Sequence, residues 1–411
     1  MRRLLLSLLA LLSTVAAHAA PLELKRGVGL HEWLNWAPLE PDGSYRWPPY
    51  DTVEEWLTRY RPLADWPEDD PFAAIGSLGF DFVRLTVDPG PLLDSEGARR
   101  EEALAVLRAG VERLTSAGLK VVVNLHSISQ VPRYSKDVIN APAASPEIAA
   151  YEAMSVDVAR MLVPLGTDRV AFEPFNEPAH YPCDASGSED WQTIMSRTVG
   201  AVRAVSPELT IVATGACGGD VQGLVDIRPD FDDPNILYSF HMYEPHLFTH
   251  QRAEREGDFA SGLPWPASAG SPQAVVEALR AQMAAAGLGE AEQARNISAV
   301  SGYIVQYFTQ NWGQRQLEQR IAQAVDWARA NDIPTERLFM GEFGAMLMSP
   351  DGRSGAFDAD RLRYLEAVRR EAERYGIPWA VWEYSNPYGM SVILPQGPAT
   401  PDRAMLEALG L

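Results

Sequence analysis

Two glutamates stand where the sequence predicts that buried strands end. Glu177 follows the apolar run 170–175 and precedes Pro178. Glu342 follows a second apolar run, residues 338–341. Proline cannot donate to a strand ladder, so the first run has to stop here. A carboxyl group that donates a proton and a second carboxylate about 5 Å away are what a retaining glycosidase uses to cleave a glycosidic bond. The pair therefore predicts catalytic roles for Glu177 and Glu342.

Six further residues occupy similar positions at predicted strand ends, and they would bind substrate: Arg84, His126, Asn176, His241, Tyr243 and Trp382. A charge inside a strand pattern is costly unless it is paired, which favours a site role for Arg84. Arg84 and Tyr243 would hold the second carboxylate ionised and oriented, while the histidines and the asparagine would bind hydroxyls or tune the acid.

Each of these residues also has a structural interpretation. Glu177 could be an ordinary loop carboxylate, each histidine could be a hydrogen-bonded structural residue, and Trp382 could close the barrel instead of stacking on a sugar. Three residues of the first long loop could line outer subsites or simply pack: His31, Trp33 and Trp36. Glu173 and Glu383 are assigned no catalytic step.

The elements that must position these residues alternate as strand and helix. The pattern predicts strands over 25–30, 81–87, 119–125, from 170 to Glu177, 209–214, 236–241, 337–342 and 379–384. It predicts helices over 72–78, 99–117, 147–165, 190–205, 221–227, 315–330, 360–375 and 402–409. Eight such pairs predict an α/β fold, a (β/α)8 TIM barrel with long loop insertions at its C-terminal face. A doubly wound open sheet is the alternative, but no glycine-rich phosphate motif follows the first strand.

Residues 21–411 are expected to form a single catalytic domain, because no low-complexity linker or internal repeat divides them. Two connections, 31–71 and 243–312, are too long for plain loops, which suggests functional insertions. Cys183 and Cys217 both follow predicted strands at the same face, so they either form a disulfide or remain two buried thiols. They have no neighbouring Cys/His cluster of the kind that binds zinc.

Composition limits the partners. The 411 residues are 46% hydrophobic and carry a formal net charge of −20, which disfavours nucleic acids and anionic membranes. Residues 1–20 combine two arginines, an apolar run and Ala17-His18-Ala19, the pattern of a signal peptide. We therefore expect a secreted or periplasmic protein, a monomer, whose mature chain has no membrane anchor.

The chain resembles glycoside hydrolase family 5, the cellulase family, from its predicted first strand to Trp382. Three pieces carry the resemblance: Phe175-Asn176-Glu177-Pro178, the stretch from His241-Met242-Tyr243-Glu244-Pro245 to Phe248-Thr249-His250-Gln251, and Gly341-Glu342-Phe343-Gly344. The resemblance implies that Glu177 is the acid/base and Glu342 the nucleophile, and that the six residues named above fill the remaining family positions.

Two departures from the family pattern concern substrate contacts. Gly29 stands where the family commonly has Asn, and the third strand ends in Asn124-Leu125-His126-Ser127 instead of Asp-x-His followed by His or Gly. No family motif lies in most of the segment from 243 to 312, which could close one end of a groove.

These observations predict a retaining endo-hydrolase of β-1,4-linked glucan that requires no metal or organic cofactor. The alternatives with the same mechanism act on mannan or β-1,3-glucan, or remove terminal units as a β-glucosidase does. A carbohydrate-binding protein without catalysis is a rival of another class, although both glutamates are present. A phosphate-handling barrel would need a phosphate loop or a barrel lysine, and neither is evident in the sequence.

Overall fold

The computed structural model describes residues 20–59, 67, 70–128, 130–231, 233–386, 389–394 and 397–411. The predicted signal peptide lies outside these residues except for Ala20. Eight parallel strands close a barrel in the order β1-β2-β3-β4-β5-β6-β8-β10, which confirms the predicted TIM barrel. Their bounds are β1 Arg26–Leu30, β2 Phe82–Val87, β3 Lys120–Leu125, β4 Val170–Glu173, β5 Thr210–Thr214, β6 Ile236–Met242, β8 Leu338–Phe343 and β10 Trp379–Val381.

Helices surround the barrel. Their bounds are α1 Val53–Arg59, α2 Pro71–Ser77, α3 Gly90–Leu93, α4 Gly97–Ser116, α5 Pro146–Leu162, α6 Asp190–Arg203, α7 Val221–Asp226, α8 His246–Thr249, α9 Pro272–Ala285, α10 Glu290–Gln310, α11 Gln314–Ala330, α12 Asp358–Arg374 and α13 Arg403–Ala408. Side-chain caps define several starts, as where Ser145 accepts from the Ile148 amide just before Pro146. Among the described residues, no helix combines the length and apolarity needed to span a bilayer.

The strand period of two builds the barrel interior in layers. Inward-facing apolar side chains form the lower layer: Phe82, Val122, Ala171, Val212, Leu237, Phe339 and Ala380. Gly27 allows this packing, because a Cβ there would lie 2.2 Å from the Phe82 ring. The positions two residues further along carry mostly polar side chains: Arg84, Asn124, Glu173, Thr214, Ser239, Gly341 and Trp382. The site is therefore the upper layer of the barrel core.

Two predicted strand ends were wrong. β4 ends at Glu173, before Pro174, so Glu177 lies four residues beyond the strand in a loop. β10 ends at Val381, so Trp382 and Glu383 also follow their strand. After β10 the backbone still bonds the neighbouring chain segments, since Trp382 N donates to Phe343 O and Tyr384 N donates to Gly29 O, each at 2.8 Å.

The segment after β6 is an ordered insertion. It contains α8, α9 and α10, and the short strand β7 Ala260–Ser261, which pairs in parallel with β9 Ser354–Gly355. The side chain of Gln251 fixes the start of the insertion, because it donates to Phe248 O at 2.9 Å and accepts from Leu263 N at 2.8 Å. Neither α9 nor α10 was predicted from the sequence.

Candidate active site

Arg84 lies at the centre of the upper layer, fully buried. Its guanidinium donates through Nε and Nη2 to the two oxygens of Glu173, at 2.6 and 3.1 Å. Nη1 donates to Glu342 Oε1 at 2.6 Å, and Nη2 also donates to Asn176 Oδ1 at 2.9 Å. One cation therefore joins β2 to β4, β8 and the loop after β4. Charge-assisted bonds of this kind fix geometry as well as contributing energy.

Glu342 is held from two sides. Its Oε1 accepts from Arg84, and its Oε2 accepts from the hydroxyl of Tyr243 at 2.9 Å. The side chain is only 5% exposed. Burial raises the pKa of Tyr243 well above its usual value, an effect increased by the charge of Glu342, so Tyr243 keeps the proton that it donates. The carboxylate is thus fixed in orientation at the barrel mouth.

The residues that follow β6 fix the position of Tyr243. Thr249 donates to Tyr243 O at 2.7 Å, and the His250 ring packs edge-on against the tyrosine ring, 4.9 Å between centroids. Tyr364 of α12 donates to Met242 O and Glu244 O, each at 3.2 Å. These contacts give Thr249 and His250, the polar residues that follow buried Phe248, a structural role.

Glu177 reaches the same point from its loop. Its backbone has φ 46°, in the left-handed region that non-glycine residues seldom adopt. Its Oε1 lies 2.9 Å from His241 Nδ1. An oxygen of Glu177, a ring nitrogen of His241 and an oxygen of Glu342 all lie within 4.8 Å of one another. This separation fits the short spacing of roughly 5–5.5 Å found in retaining glycosidases.

His241 and Glu177 form a hydrogen-bonded pair in which each group shifts the pKa of the other. Burial by itself would raise the pKa of Glu177, but the hydrogen bond and charge of His241, with Arg84, lower it below its usual value. Burial likewise opposes the charged form of His241, but Glu342 and Glu177 outweigh it and raise the pKa of the imidazole. Both shifts favour a protonated His241 that donates to an ionised Glu177.

Two glycines allow this pair to pack. A Cβ at Gly219, where φ is +74°, would lie 3.4 Å from Glu177 Cγ. A Cβ at Gly341 would lie 3.1 Å from His241 Nε2 and 2.8 Å from Ser239 Oγ. At Gly341 any side chain would therefore push on His241, whereas at Gly219 the positive φ is what favours glycine. Close packing against His241 and Ser239 therefore explains why a glycine precedes Glu342.

Aromatic rings line one side of the site. The His126 and Trp382 rings stack with 5.6 Å between centroids, and the His31 ring packs against both. Burial lowers the pKa of His126 well below its usual value, so it is neutral. His126 Nε2 lies 3.3 Å from Asn176 Nδ2, which connects the rings to Arg84. A Cβ at Gly29 would lie 3.1 Å from the Trp382 ring, which explains why a larger residue is absent there.

The three candidate residues of the first loop, His31, Trp33 and Trp36, have different surroundings in the structure. Trp33 is buried, stacks on Trp56 and donates to Asp51 O, so it is a packing residue. His31 lies within the ring cluster of Trp382 and accepts or donates at Thr86 Oγ1, 3.0 Å away. Trp36 is 51% exposed and meets the His31 ring edge-on.

Loops after β5 and β6 form the opposite side. The cleft is a cavity of 360 Å³ that extends from Trp382 and His126, over the two glutamates, to Asp220, Glu244, His246, His250 and Arg252. A disulfide joins Cys183 to Cys217 at its edge. Gly218 N donates to Pro178 O at 2.9 Å, so the disulfide loop contacts the residue next to Glu177.

The donor types of Glu177, His241 and Glu342 would suit a metal ion, but most of their donor atoms already have protein partners. Among the described residues, Nε2 of His241 has no hydrogen-bond partner. Arg84 and Tyr243 occupy both oxygens of Glu342, and His241 bonds Glu177. The guanidinium also supplies the local positive charge. Cys183 and Cys217 lie near Asp220, yet as a disulfide they offer no thiolate.

All eight residues predicted for the site come together in this network. Sequence reasoning gave no role to Glu173, which provides two of the bonds that orient Arg84. The signal was present, because Glu173 is a charge inside a strand pattern, as Arg84 is.

The family model for cellulases, glycosyl hydrolase family 5, matches residues 40–387, most of the chain. The chain belongs to glycosyl hydrolase family 5. This confirms the resemblance stated from the sequence and places the protein among the glycoside hydrolases.

Curated relatives of this family-5 chain match about half of it. Endoglucanase 3 of Fibrobacter succinogenes is 29% identical over 225 residues, 53% of this chain and 30% of that protein. Cellodextrinase A of Ruminococcus flavefaciens is 26% identical over 204 residues, 49% of this chain and 58% of that protein. The matches thus span well under two thirds of these relatives.

Solved structures share the fold across the whole barrel. A hyperthermophilic endo-β-1,4-glucanase in complex with substrate has a TM-score of 0.63 at 21% identity, covering 95% of this chain and 97% of that one. A Bacteroides ovatus family-5 xyloglucanase has a TM-score of 0.61 at 17% identity, covering 94% and 74%. At these identities the likeness shows the fold alone.

Proposed function

We propose that the protein is a retaining endo-acting hydrolase of β-1,4-linked glucan, exported from the cell. The observation that carries the mechanism is the placement of Glu177 and Glu342 within 4.8 Å, with Glu342 fixed by Arg84 and Tyr243. Two carboxyl groups this close leave no room for a water between them, so the second acts as a nucleophile.

In the first step, a Glu342 oxygen attacks the anomeric carbon while the bond from that carbon to the leaving oxygen breaks. The proton of the His241–Glu177 pair passes through Glu177 to the leaving oxygen, which departs as a hydroxyl group. The product is a glycosyl ester of Glu342. His241 thereby acts as a proton reserve for an acid whose own pKa is lowered.

In the second step, Glu177 and His241 recover a proton from water. The water oxygen attacks the anomeric carbon, the ester bond to Glu342 breaks, and the sugar leaves with its original configuration. Conversion of Glu342 into a neutral ester removes one of the charges that raised the pKa of His241. The pKa of His241 is therefore lower in the intermediate, so the imidazole stays neutral and Glu177 takes the proton from the attacking water.

Substrate preference is supported by the cleft and by the relatives. Trp382 provides a ring at the catalytic centre, and Trp36 a second exposed ring beyond His31, as a chain of sugar rings requires. Several relatives and neighbours are named as endoglucanases. Mannan, β-1,3-glucan and terminal cleavage remain the alternatives.

The test is reducing-sugar release from carboxymethyl-cellulose, mixed-linkage β-glucan, laminarin, mannan and xylan. We expect activity on the first two substrates, with a rapid fall in viscosity of carboxymethyl-cellulose because cleavage is internal. Release from laminarin or mannan alone would move the substrate assignment to that glycan. Slow viscosity loss with cellobiose or glucose as the only product would indicate exo action.

A matched pair of variants separates catalysis from binding. Glu342→Gln keeps the size of the side chain but removes the nucleophile, so activity should fall by roughly 10³-fold or more. Glu40→Gln, at an exposed position in the first loop, should leave activity unchanged. Full activity in Glu342→Gln would overturn the mechanism. Glycan binding by wild type without hydrolysis would show a binding protein.

A further inference from the structure

A second cavity lies beside the catalytic cleft, under the insertion. It has a volume of 450 Å³, in the range of sites that hold drug-sized ligands. His246, His250 and Arg252 line both cavities, so the second continues the first. Its other walls come from residues 254–263 and from one face each of α9 and α10. No family motif contributes to these walls.

The floor of this insertion cavity is apolar. Phe259, Leu263, Leu279 and Ile304 form it, each at most 6% exposed. The rim carries charged residues together with Tyr303, which is 59% exposed. An apolar floor with a polar rim is the usual form of a site for a hydrophobic ligand.

The buried polar groups in the cavity are already engaged. The Gln251 side chain bonds Phe248 O and Leu263 N, and Asn296 Nδ2 donates to Gly257 O at 2.8 Å. A sugar ring has hydroxyl groups on its whole periphery, and burying them without partners costs free energy. The floor therefore favours an apolar group over another glucose unit.

The position of the cavity relative to the glutamates assigns its occupant to one side of the scissile bond. A sugar stacked on Trp382 lies against a residue that lines only the catalytic cleft, whereas His246, His250 and Arg252 line both cavities. The group on the other side of the bond, which leaves with the proton from Glu177, then points toward the insertion.

We propose that the insertion cavity binds the apolar aglycone of a β-glycoside, so that the enzyme also cleaves glycosides with hydrophobic leaving groups. This inference rests on the proposed glycosidase function. It makes the insertion a specificity element for alkyl or ring-containing aglycones.

The experiment compares methyl with n-hexyl β-cellobioside, which have the same sugar and leaving alcohols of similar acidity. We expect kcat/KM for the hexyl compound to be roughly tenfold higher or more, because five additional methylene groups leave water. Ala299→Trp, at an exposed position on α10 that lines the cavity, should fill it and bring the ratio close to one. Hydrolysis of the methyl compound should stay within about twofold of wild type.

The matched control is Ser298→Trp, one position earlier on the same exposed helix and outside the cavity lining. It should keep the wild-type ratio. A wild-type ratio near one, or the same ratio in Ala299→Trp and wild type, would overturn the inference. A loss in Ala299→Trp that affects cellopentaose and not the hexyl compound would show a glucan subsite instead.

Binding gives a readout that does not depend on turnover. In the Glu342→Gln variant, calorimetry should show roughly tenfold tighter binding of the hexyl than of the methyl compound. Equal affinities would contradict the cavity's role. If wild type fails to cleave even an activated aryl β-cellobioside while the affinities differ as expected, the proposed catalytic function fails and the binding site stands.

Discussion

Two groups of buried glutamates lie at the same barrel mouth, and their surroundings differ. Glu173 and Glu342 both accept hydrogen bonds from Arg84. Glu32 and Glu383 have neutral donors: Ser385 donates to Glu32 at 2.6 Å, and Asn386 donates to Glu383. Among the described residues, one oxygen of each of the latter two has no hydrogen-bond partner.

The surroundings of Glu32 and Glu383 raise the pKa of both carboxyl groups. Burial raises the pKa of Glu32 to about 7, and burial with the charge of Glu32 raises the pKa of Glu383 well above its usual value. Neutral side chains bond Glu32 and Glu383, whereas the Arg84 guanidinium bonds Glu173 and Glu342. One residue type at the barrel mouth thus has two different electrostatic surroundings.

Removal of the cation should have the largest effect. Arg84→Met leaves Glu173 and Glu342 buried without their counter-ion, so we expect a loss of roughly 3–5 kcal/mol in the free energy of unfolding. Activity of the folded fraction should fall by roughly 10³-fold or more, because the nucleophile loses its orientation. Denaturant unfolding and activity per folded molecule measure both effects.

The control for that variant is Arg361→Met. Arg361 is also buried and pairs with Asp402, but it lies outside the site. This variant should lose stability while its folded fraction keeps near-normal activity. Equal activity losses in the two variants would mean that Arg84 acts only through general stability.

Glu173→Gln should sharpen the comparison with a smaller effect. The amide keeps the shape, but it can accept only one of the two bonds from Arg84, so the guanidinium shifts. We expect kcat to fall by roughly 10–100-fold with little change in KM, since the substrate does not contact Glu173. An unchanged kcat would show that Glu342 and Asn176 alone position Arg84.

His241→Asn tests the proton reserve through the pH dependence of kcat/KM. In the wild type, activity should persist up to the raised pKa of the His241–Glu177 pair and fall as pH rises through it. Without the imidazole, Glu177 loses the hydrogen bond and charge that lower its pKa, so burial raises that pKa and Glu177 itself holds the last proton. The basic limb should then follow this single carboxyl group and move away from its wild-type position. Superimposable profiles would exclude the reserve.

The smallest expected effect concerns Glu32, which accepts from the neutral donor Ser385. The folded-state pKa of Glu32, about 7, lies above its unfolded value, so its contribution to stability is complete at acidic pH and is lost as pH rises through 7. Glu32→Gln removes this term. The fall in Tm between pH 5 and 8 should shrink by roughly 2–5 °C relative to wild type. An equal pH slope would contradict a protonated Glu32.

The sequence could predict what strand periodicity and local motifs determine. The alternation that places Phe82 in the lower layer of the barrel and Arg84 in the upper layer can be recognised in the sequence. It allowed the fold and the central site residues to be predicted. Glu32 and Glu383 could not be interpreted, because their pairing depends on two loops that are distant in sequence. The insertion could not be predicted either, because α9 and α10 pack against each other and carry no motif.

The most direct test of the account is the identity of the covalent intermediate. The enzyme is incubated with a 2-deoxy-2-fluoro-β-cellobioside that carries an activated leaving group, and its peptides are then analysed by mass spectrometry. The account predicts one glycosyl adduct, on Glu342. An adduct on Glu177 or elsewhere, or turnover with inverted configuration and no adduct, would contradict it.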